Sequence, residues 1–325
     1  MKIMDSRYLL LQDWLKTTLP HSFSIKALAG DASFRRYFRV HHNKTSFVVM
    51  DAPPSHENIA SFIDITTRLH QHQIKAPIIF QRDLEKGFLL LSDLGDNLFL
   101  PLLNEQTVET LYGQALSTLH RMQNCETLSL PHFNDDMILR EFSLFVEWFL
   151  EKHLKLSLTF KDKTLLNDVF SLLNKNSQEQ PQCFVHRDYH SRNLLTLPNA
   201  HVGVIDFQDA VLGPITYDLI SLVRDCYIDW PKEHVHRWLI NFHQQALDLG
   251  RLNESSSERF IRWADLQSIQ RHLKAIGIFS RLNYRDNKSN YLNDIPRTFN
   301  YVKNLTSQYR ELLPFNQWLS EKIPL

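Results

Sequence analysis

The stretch Cys183–Gly213 reads C-F-V-H-R-D-Y-H-S-R-N-L-L-T-L-P-N-A-H-V-G-V-I-D-F-Q-D-A-V-L-G and supplies the polar residues that we expect to carry the chemistry. Asp188 opens a loop, where its carboxylate can accept a hydroxyl proton, and Asn193 follows five positions later, where its side chain can bind a metal. Asp206 ends a short apolar strand and adds a second hard oxygen ligand for Mg²⁺. This spacing predicts transfer of a phosphoryl group from ATP, with Mg²⁺ as the cofactor.

Two apolar runs, Cys183–Val185 and Val202–Ile205, flank these side chains and predict the strands of a hairpin. The order His-Arg-Asp, four residues, Asn, and then a strand ending in Asp-Phe is typical of kinases. A simpler alternative is a hairpin whose buried polar groups only cap turns. Within the loop we expect His186 to bond nearby backbone. We expect Asp218, in the first turn of the next helix, to accept backbone hydrogen bonds from the loop.

The composition is that of an ordinary globular chain: of 325 residues, 43% are hydrophobic and 22% are charged. Basic and acidic residues number 36 each, so the basic excess expected of a nucleic-acid-binding protein is missing. The three cysteines lack paired spacing, which predicts buried thiols in a reducing compartment rather than disulfides or a zinc site. The charged N-terminal segment is unlike a signal peptide, and no apolar run matches a membrane span. We therefore expect a soluble cytoplasmic protein that binds neither nucleic acid nor membrane.

The hydrophobic periodicity predicts an α+β fold, and the kinase spacing makes it a protein-kinase-like fold of two lobes. Residues 1–92 are expected to form the smaller lobe, an antiparallel sheet with one main helix. Residues 93–325 are expected to form a larger, mostly helical lobe that holds the catalytic loop. The predicted elements are a helix at 6–19, strands at 24–28, 36–40, 46–51, 78–80 and 88–92, a helix at 55–70, and helices at 105–122, 135–153, 163–174, 215–226, 232–249, 257–282 and 298–312.

The segment G-D-A-S-F-R-R lies between the first two predicted strands of the sheet, where kinases cover the nucleotide phosphates. Gly30, Ser33 and the guanidinium groups of Arg35 or Arg36 can hold phosphate oxygens there. The alternative is a β-turn with surface arginines, because a complete glycine-rich motif is missing.

The predicted boundary between the lobes falls at Ser92-Asp93-Leu94. Extended backbone at this point can offer the N–H and C=O groups that bind adenine, with apolar neighbours on either side of the ring. These three residues are therefore candidates for the nucleotide site.

At H-R-D-Y-H-S-R-N and V-I-D-F-Q-D the chain resembles the aminoglycoside phosphotransferase and choline kinase superfamily over nearly its whole length. Longer segments are similar to the anomeric amino-sugar kinases of bacterial cell-wall recycling: G-D-A-S-F-R-R-Y-F-R, V-V-M-D-A-P-P, L-S-D-L-G-D, E-F-S-L-F-V-E-W-F-L, G-P-I-T-Y-D-L and Q-R-H-L-K-A-I-G-I-F-S-R-L. The resemblance implies phosphorylation of the anomeric hydroxyl of N-acetylmuramate, with N-acetylglucosamine as a further acceptor, to the sugar 1-phosphate. It also implies a later sugar-1-phosphate nucleotidyltransferase that uses this product.

Two positions depart from the wider kinase pattern. Met50 stands where the strand of a V-A-I-K motif carries a lysine that pairs the nucleotide phosphates, and Arg35 or Arg36 is our candidate for the substitute cation. Gln208 replaces the glycine after Asp206-Phe207, which leaves the metal ligand in place. Met50 keeps open the alternative of a catalytically inactive kinase fold that only binds its ligands.

The acceptor is predicted to be a small molecule, because no A-P-E segment follows Asp206 and a peptide would have no platform. The rival acceptors are an amino alcohol, an aminoglycoside or another sugar. An N-acetyl sugar needs polar partners and an apolar wall, and the lactyl carboxylate of N-acetylmuramate needs an arginine. The candidates are Glu141, Glu147, Trp148, His190, Arg192, Asp209 and Arg271. For each of them the simpler alternative is a solvated side chain or, for Asp209, a turn cap.

Overall fold

A computed structural model of the chain describes residues 6–28, 34–253 and 255–323. These residues fall into two compact units. The first comprises the described residues up to Asn97 together with Leu195–Gln208, and the second comprises Leu98–Leu194 and the described residues from Asp209 onwards. Within these three ranges no helix is both long enough and apolar enough to cross a membrane.

Strands and helices are mixed along the chain as far as Ser92, and the rest of the chain is mostly helical. The strands are β1 Phe23–Ala27, β2 Arg36–His42, β3 Thr45–Asp51, β4 Ile79–Asp83, β5 Phe88–Ser92, β6 Gln182–Val185, β7 Leu194–Leu197, β8 His201–Val204 and β9 Val211–Pro214. The α-helices are α1 Ser6–Thr18, α2 Ile59–Gln71, α3 Phe99–Leu102, α4 Val108–Met122, α5 Asp135–Leu144, α6 Phe160–Glu179, α7 Tyr217–Val223, α8 Lys232–Asp248, α9 Ser257–Asp286, α10 Ile295–Thr306 and α11 Leu313–Lys322. A π-helix, Phe145–His153, continues α5 directly, and 3-10 turns occupy Pro198–Ala200, Ser289–Asp294 and Arg310–Leu312.

The first unit is built on an antiparallel sheet in the order β1-β2-β3-β5-β4. Side chains alternate between its two faces, and one face forms an apolar cluster with α1 that includes Leu11, Leu15, Val49 and Phe88. The strands β4 and β5 are joined by a tight turn at Gly87, whose φ of +76° is readily adopted only by glycine. The predicted α+β class with a small antiparallel sheet is thereby confirmed.

Helix bounds differ from the predicted ones where capping residues decide them. The helix predicted from 55 begins at Ile59, because the Asn58 side chain accepts a hydrogen bond from the Ala60 backbone N–H at 3.1 Å. The helix predicted at 163–174 begins at Phe160, because Thr159 and Asp162 form a reciprocal capping box.

The predicted hairpin between the apolar runs at 183–185 and 202–205 is wrong. Strand β6 pairs with β9, and β8 pairs with β7, so the two runs belong to two separate two-stranded ladders. All four of these strands are only four residues long, so the periodic signal in the sequence does not indicate which of them pair. The register β6–β9 joins Val185 to Val211, directly before the catalytic loop.

The second unit is organised around α9, which is buried along most of its thirty residues. The π-helix and α10 pack most extensively against it, with α5, α6 and α7 also in contact. Beside apolar positions such as Ile269 and Leu273, it carries buried polar side chains, among them Gln270, Arg271 and Lys274. Buried polar groups need hydrogen-bonding partners. We therefore expect a functional site at this face of α9.

Candidate active site

The catalytic loop follows β6 and is held by a carboxylate from the next helix. Asp218, in α7, accepts hydrogen bonds from the backbone N–H groups of His186 at 2.6 Å and Arg187 at 3.0 Å. The Asp188 N–H in turn donates to Nδ1 of His186 at 3.2 Å. The structural roles expected of Asp218 and His186 are therefore confirmed. Burial raises the pKa of Asp218 to about 6, against the favourable effect of these donors.

A second anchor of the loop involves Asp225, which sequence reasoning missed. Its side chain accepts hydrogen bonds from the Ser191 backbone N–H at 2.9 Å and the Ser191 hydroxyl at 2.6 Å, and from the Tyr227 N–H at 3.0 Å. The residues are 34 positions apart, so no local spacing in the sequence links them. The loop is thus fixed at both ends by buried carboxylates.

Glu141 lies at the centre of a buried ionic network. Its carboxylate accepts hydrogen bonds from Arg187 at 2.7 Å and Gln270 at 2.7 Å, and Lys274 Nζ lies 3.0 Å away. Lys274 also donates to the Tyr217 hydroxyl at 2.9 Å. Burial opposes ionisation of Glu141, but Lys274 and Arg187 outweigh it and lower its pKa. Glu141 was predicted to contact the sugar, whereas both of its oxygens already bind protein donors.

Asp188 is ionised at neutral pH. Burial disfavours its charge, but the nearby cations Lys274 and Arg187 outweigh burial and lower its pKa to about 2. Asn193 closes the loop, because its side-chain Nδ2 donates to the Asp188 carbonyl at 3.0 Å. Asp188 can therefore serve as a fixed hydrogen-bond acceptor for a hydroxyl, although so acidic a group is a weak base.

Two other predicted acceptor residues, His190 and Arg192, lie on the same loop. His190 is nearly buried, its Nδ1 has no partner within the described residues, and burial lowers its pKa to about 4. Arg192 lies over the Tyr227 ring, with its guanidinium carbon 3.6 Å from the ring centroid, and Asp294 is 3.9 Å from its Nη2. Both side chains contact the same aromatic ring, since His190 and Tyr227 form a T-shaped pair with ring centroids 5.3 Å apart.

The remaining predicted acceptor residues of the second unit are less closely connected. Glu147 and Trp148 lie on the π-helix, Glu147 is exposed, and Lys152 lies over the Trp148 ring at 5.6 Å. In the parts of the chain that the structure describes, neither hydrogen bonds to the network around Glu141. Asp209 lies in an exposed turn before β9.

Of the predicted phosphate-binding residues of the first unit, the structure describes Arg35 and Arg36. Gly30 and Ser33 fall outside the described residues. Arg36 faces α1, where it and Arg7 pair with the buried Asp51, and Arg36 Nε donates to Asp51 at 2.9 Å. Met50 is one residue before Asp51 on β3, so it occupies the opposite face of the sheet.

Arg35 and the lobe-boundary residues have protein partners of their own. Arg35 lies 3.6 Å from the Glu57 carboxylate. The Ser92 N–H donates to the Ile78 carbonyl at 2.8 Å, so it is not available to adenine. The Asp93 carboxylate accepts from Arg39 at 2.6 Å, from the Ser46 hydroxyl and from the Gly95 N–H. The partly buried Leu94 follows it.

Asp206 has a strained backbone, as functional aspartates often do. Its φ is +63°, in the left-handed region, and one carboxylate oxygen accepts from the Gln208 side chain at 3.1 Å. The next residue, Phe207, is buried against Phe62 of α2, with ring centroids 4.8 Å apart. This packing fixes the strand end at which the Asp206 carboxylate is exposed.

Known proteins match the chain over most of its length. A family model described as the phosphotransferase enzyme family matches residues 24–255. An N-acetylmuramate/N-acetylglucosamine kinase of Pseudomonas putida is 41% identical over 300 residues, which cover 92% of this chain and 88% of the relative. A kinase of the same name from Pseudomonas aeruginosa is 38% identical, with 97% of each chain covered. A solved ADP-bound aminoglycoside phosphotransferase has a TM-score of 0.60 at 14% identity, over 90% of this chain and 97% of that one, which shows a shared fold.

Proposed function

The chain belongs to the phosphotransferase enzyme family, and from this membership we propose that it transfers the γ-phosphoryl group of ATP to the anomeric hydroxyl of an N-acetyl amino sugar. The acceptors are N-acetylmuramate and N-acetylglucosamine, and the product is the sugar 1-phosphate. The observation that carries the proposal is the ionised Asp188, held in a braced loop among buried cations. Relatives that carry both acceptors in their name support the choice of sugar.

Asp188 would act mainly by orienting the attacking hydroxyl. A carboxylate whose pKa is about 2 is a poor base at neutral pH, but it accepts a strong hydrogen bond from a hydroxyl and can align it with the γ-phosphorus. An anomeric hydroxyl is more acidic than an ordinary alcohol. A weak base is therefore sufficient for this acceptor, because the proton leaves as the bond to phosphorus forms.

Asn193 and Asp206 would hold Mg²⁺. Their donor set fits, since an amide oxygen and a carboxylate are hard ligands, and Asn193 uses its nitrogen for the Asp188 carbonyl while its oxygen makes no hydrogen bond in the described part of the chain. Magnesium commonly uses only one or two carboxylates together with substrate phosphates and water. When bound, it supplies positive charge that neutralises the phosphate oxygens.

The nucleotide would be bound by the first unit. Leu94 backbone remains our candidate for adenine, together with the chain at Ser92 and Asp93. For the phosphates we retain Gly30, Ser33 and Arg35. We no longer expect Arg36 to replace the missing lysine, because it pairs with Asp51 on the sheet face opposite Met50.

The rival acceptors differ from amino sugars in charge. Choline and aminoglycosides are cations, and a cationic acceptor calls for an acidic or aromatic-lined site. The neighbourhood of Asp188 instead contains Arg187, Lys274 and Arg271, all largely buried. Glu141 pairs with Arg187 and Lys274, so repulsion from Arg271, which has no carboxylate partner among the described residues, is what disfavours a cationic acceptor and favours a neutral or anionic one.

The test is ADP release from MgATP with N-acetylmuramate, N-acetylglucosamine, glucose, choline and kanamycin, with phosphorus NMR of the product. We expect turnover with the two N-acetyl sugars and an anomeric phosphate signal. Turnover of choline or kanamycin alone would contradict the proposed acceptor. ATP binding without turnover of any acceptor would instead favour a kinase fold that only binds its ligands.

Two further parts of the proposal concern the cell. A sugar 1-phosphate is the usual substrate of a nucleotidyltransferase, so we propose that such an enzyme consumes the product in peptidoglycan recycling. We also propose a cytoplasmic location, because ATP is the phosphoryl donor.

A further inference from the structure

Arg271 differs from the other buried cations near Asp188 in having no carboxylate partner in the part of the chain that the structure describes. Arg187 and Lys274 both lie against the carboxylate of Glu141. Within the described residues, the one hydrogen bond of the Arg271 side chain runs from Nη1 to the Cys226 thiol, over 3.5 Å. A thiol is a weak acceptor, so the guanidinium keeps most of its hydrogen-bonding capacity.

Burial of such an arginine is unfavourable in free energy unless an anion binds to it. Arg271 is 5% exposed, and a buried charge without a partner is strongly disfavoured. The buried Asp225 directly precedes Cys226 in the chain. Its carboxylate already accepts hydrogen bonds from Ser191 and Tyr227. Burial opposes the charge of Arg271, but the neighbouring Cys226, Tyr217, Asp225 and Asp188 raise its pKa and keep it protonated.

The position of Arg271 relates it to the acceptor. It precedes Lys274 by one helical turn on α9, so the two side chains lie on neighbouring positions of the same helix face. Lys274 contacts Glu141, which binds Arg187 beside Asp188, and Cys226, the partner of Arg271, follows Asp225, which binds Ser191 of the same loop. An acceptor whose hydroxyl binds Asp188 would therefore place its other substituents within reach of the Arg271 guanidinium.

We propose that Arg271 is the specificity-determining residue for an acidic acceptor, and that it binds a carboxylate on the sugar while Asp188 binds the anomeric hydroxyl. The inference rests on the proposed function and assigns N-acetylmuramate, with its lactyl carboxylate, as the preferred acceptor. A planar guanidinium matches a carboxylate with two parallel hydrogen bonds, and the buried setting strengthens them. N-acetylglucosamine lacks the carboxylate and gains nothing from this residue.

The other arginine predicted for the acceptor fits this role less well. Arg192 stacks on Tyr227 and has Asp294 at 3.9 Å, so its charge is already balanced in part. Its side chain is 37% exposed, and water weakens an ion pair there. Arg192 therefore serves as the comparison residue in the test.

The experiment measures kcat/KM for N-acetylmuramate, its methyl ester and N-acetylglucosamine with wild type, R271Q, R271K and R192Q. R285Q is the matched control, because Arg285 is on the same helix but exposed and paired with its neighbour Asp286. For R271Q we expect kcat/KM with N-acetylmuramate to fall about 10- to 100-fold, the usual effect of losing a hydrogen-bonded charge. Turnover of N-acetylglucosamine should stay within about threefold of wild type.

The methyl ester separates charge recognition from other effects. In wild type, kcat/KM should fall from the acid to the ester by the same factor by which R271Q lowers kcat/KM for the acid. In R271Q, kcat/KM should be the same for the acid and the ester. R271K should recover part of the preference, because it keeps the charge but loses the planar fork. If R271Q does not fold, R271K and the ester comparison on wild type decide the question.

The outcomes separate the two proposals. An equal fall for both sugars in R271Q, an unchanged ester rate in wild type, or a selective loss in R192Q instead would overturn the role of Arg271 and leave the kinase assignment intact. Absence of turnover of either sugar by wild type would overturn the proposed function and this inference with it.

Discussion

The charge and the backbone conformation of single residues in the catalytic loop depend on neighbours that are distant in sequence. Asp188 is ionised because Lys274, 86 positions later, and Arg187 beside it outweigh the cost of burial. Arg187 itself has a φ of +77° and is kept in place by Glu141 and by the bond from its N–H to Asp218. Strained backbone of this kind persists only where surrounding contacts over-determine it.

The first prediction concerns Asp188. The D188N variant should lower kcat by about 10²-fold or more while leaving the KM for ATP within about twofold, because an amide cannot orient and deprotonate the acceptor hydroxyl in the same way. Steady-state ADP release measures both constants. D13N, which changes an exposed residue of α1, is the control and should behave as wild type. A D188N enzyme with more than half of the wild-type kcat would exclude this role.

The elements of the second unit meet most closely where α9 passes the junction of α5 and the π-helix. A Cβ at Gly277 would lie 2.4 Å from the Leu144 carbonyl carbon and 2.5 Å from the Phe145 nitrogen. Three residues earlier on each element, Lys274 contacts Glu141. The missing side chain at 277 thus lets α9 approach closely enough for the buried network to form.

G277A should therefore destabilise the protein, by about 1–3 kcal/mol from overpacking against backbone atoms that cannot move aside easily. Urea unfolding followed by circular dichroism measures the change. G113A provides the matched control, because Gly113 is an exposed position of α4 where a Cβ meets nothing within 4 Å. Replacing glycine by alanine in an open helix position should stabilise by up to about 1 kcal/mol. Equal effects of the two substitutions would contradict the proposed close approach.

At the scale of the whole molecule, the chain buries several histidines as neutral groups. Burial lowers the pKa of His120 and His190 to about 4 and that of His272 to about 3. In the neutral His272 ring, Nε2–H donates to the Arg224 carbonyl at 2.9 Å and Nδ1 accepts from the Ser268 hydroxyl at 3.1 Å. The unfolded chain protonates these rings near pH 6.5, whereas the folded chain does not.

The free energy of unfolding should therefore fall as the pH is lowered from about 6.5 towards 4, because the unfolded state then binds more protons. Asp218, whose pKa is raised to about 6, acts in the opposite direction and offsets part of the fall. In H272Q the slope should decrease by about 1.4 kcal/mol per pH unit, the value for one proton. Urea unfolding at half-unit steps from pH 4.5 to 8.5 measures it, and above pH 7.5 the two slopes should coincide. An unchanged slope at acid pH would show that His272 is protonated in the folded state.

The sequence by itself determined the class of fold and the reaction, and it predicts which residues of one loop carry that reaction. These are local properties: alternation and helical periodicity mark the elements, and the spacing of His186, Asp188, Asn193 and Asp206 needs only one short stretch of chain. The resemblance to the phosphotransferase family is confirmed for the same reason, since its motifs are contiguous.

Tertiary structure alone decided which strands pair, which face each arginine occupies and which charges remain unbalanced. The pairing of β6 with β9 depends on contacts between segments almost thirty residues apart in sequence. The hydrophobic periodicity of a single segment gives no information about such contacts. Arg36 was a candidate for the cation missing at Met50, but the strand register places the two residues on opposite faces of the sheet. Glu141 and Arg271 looked alike as candidates for the sugar. Folding brought two cations to Glu141 and no carboxylate within 4.0 Å of Arg271 among the described residues, because long-range packing determines which buried charges are paired.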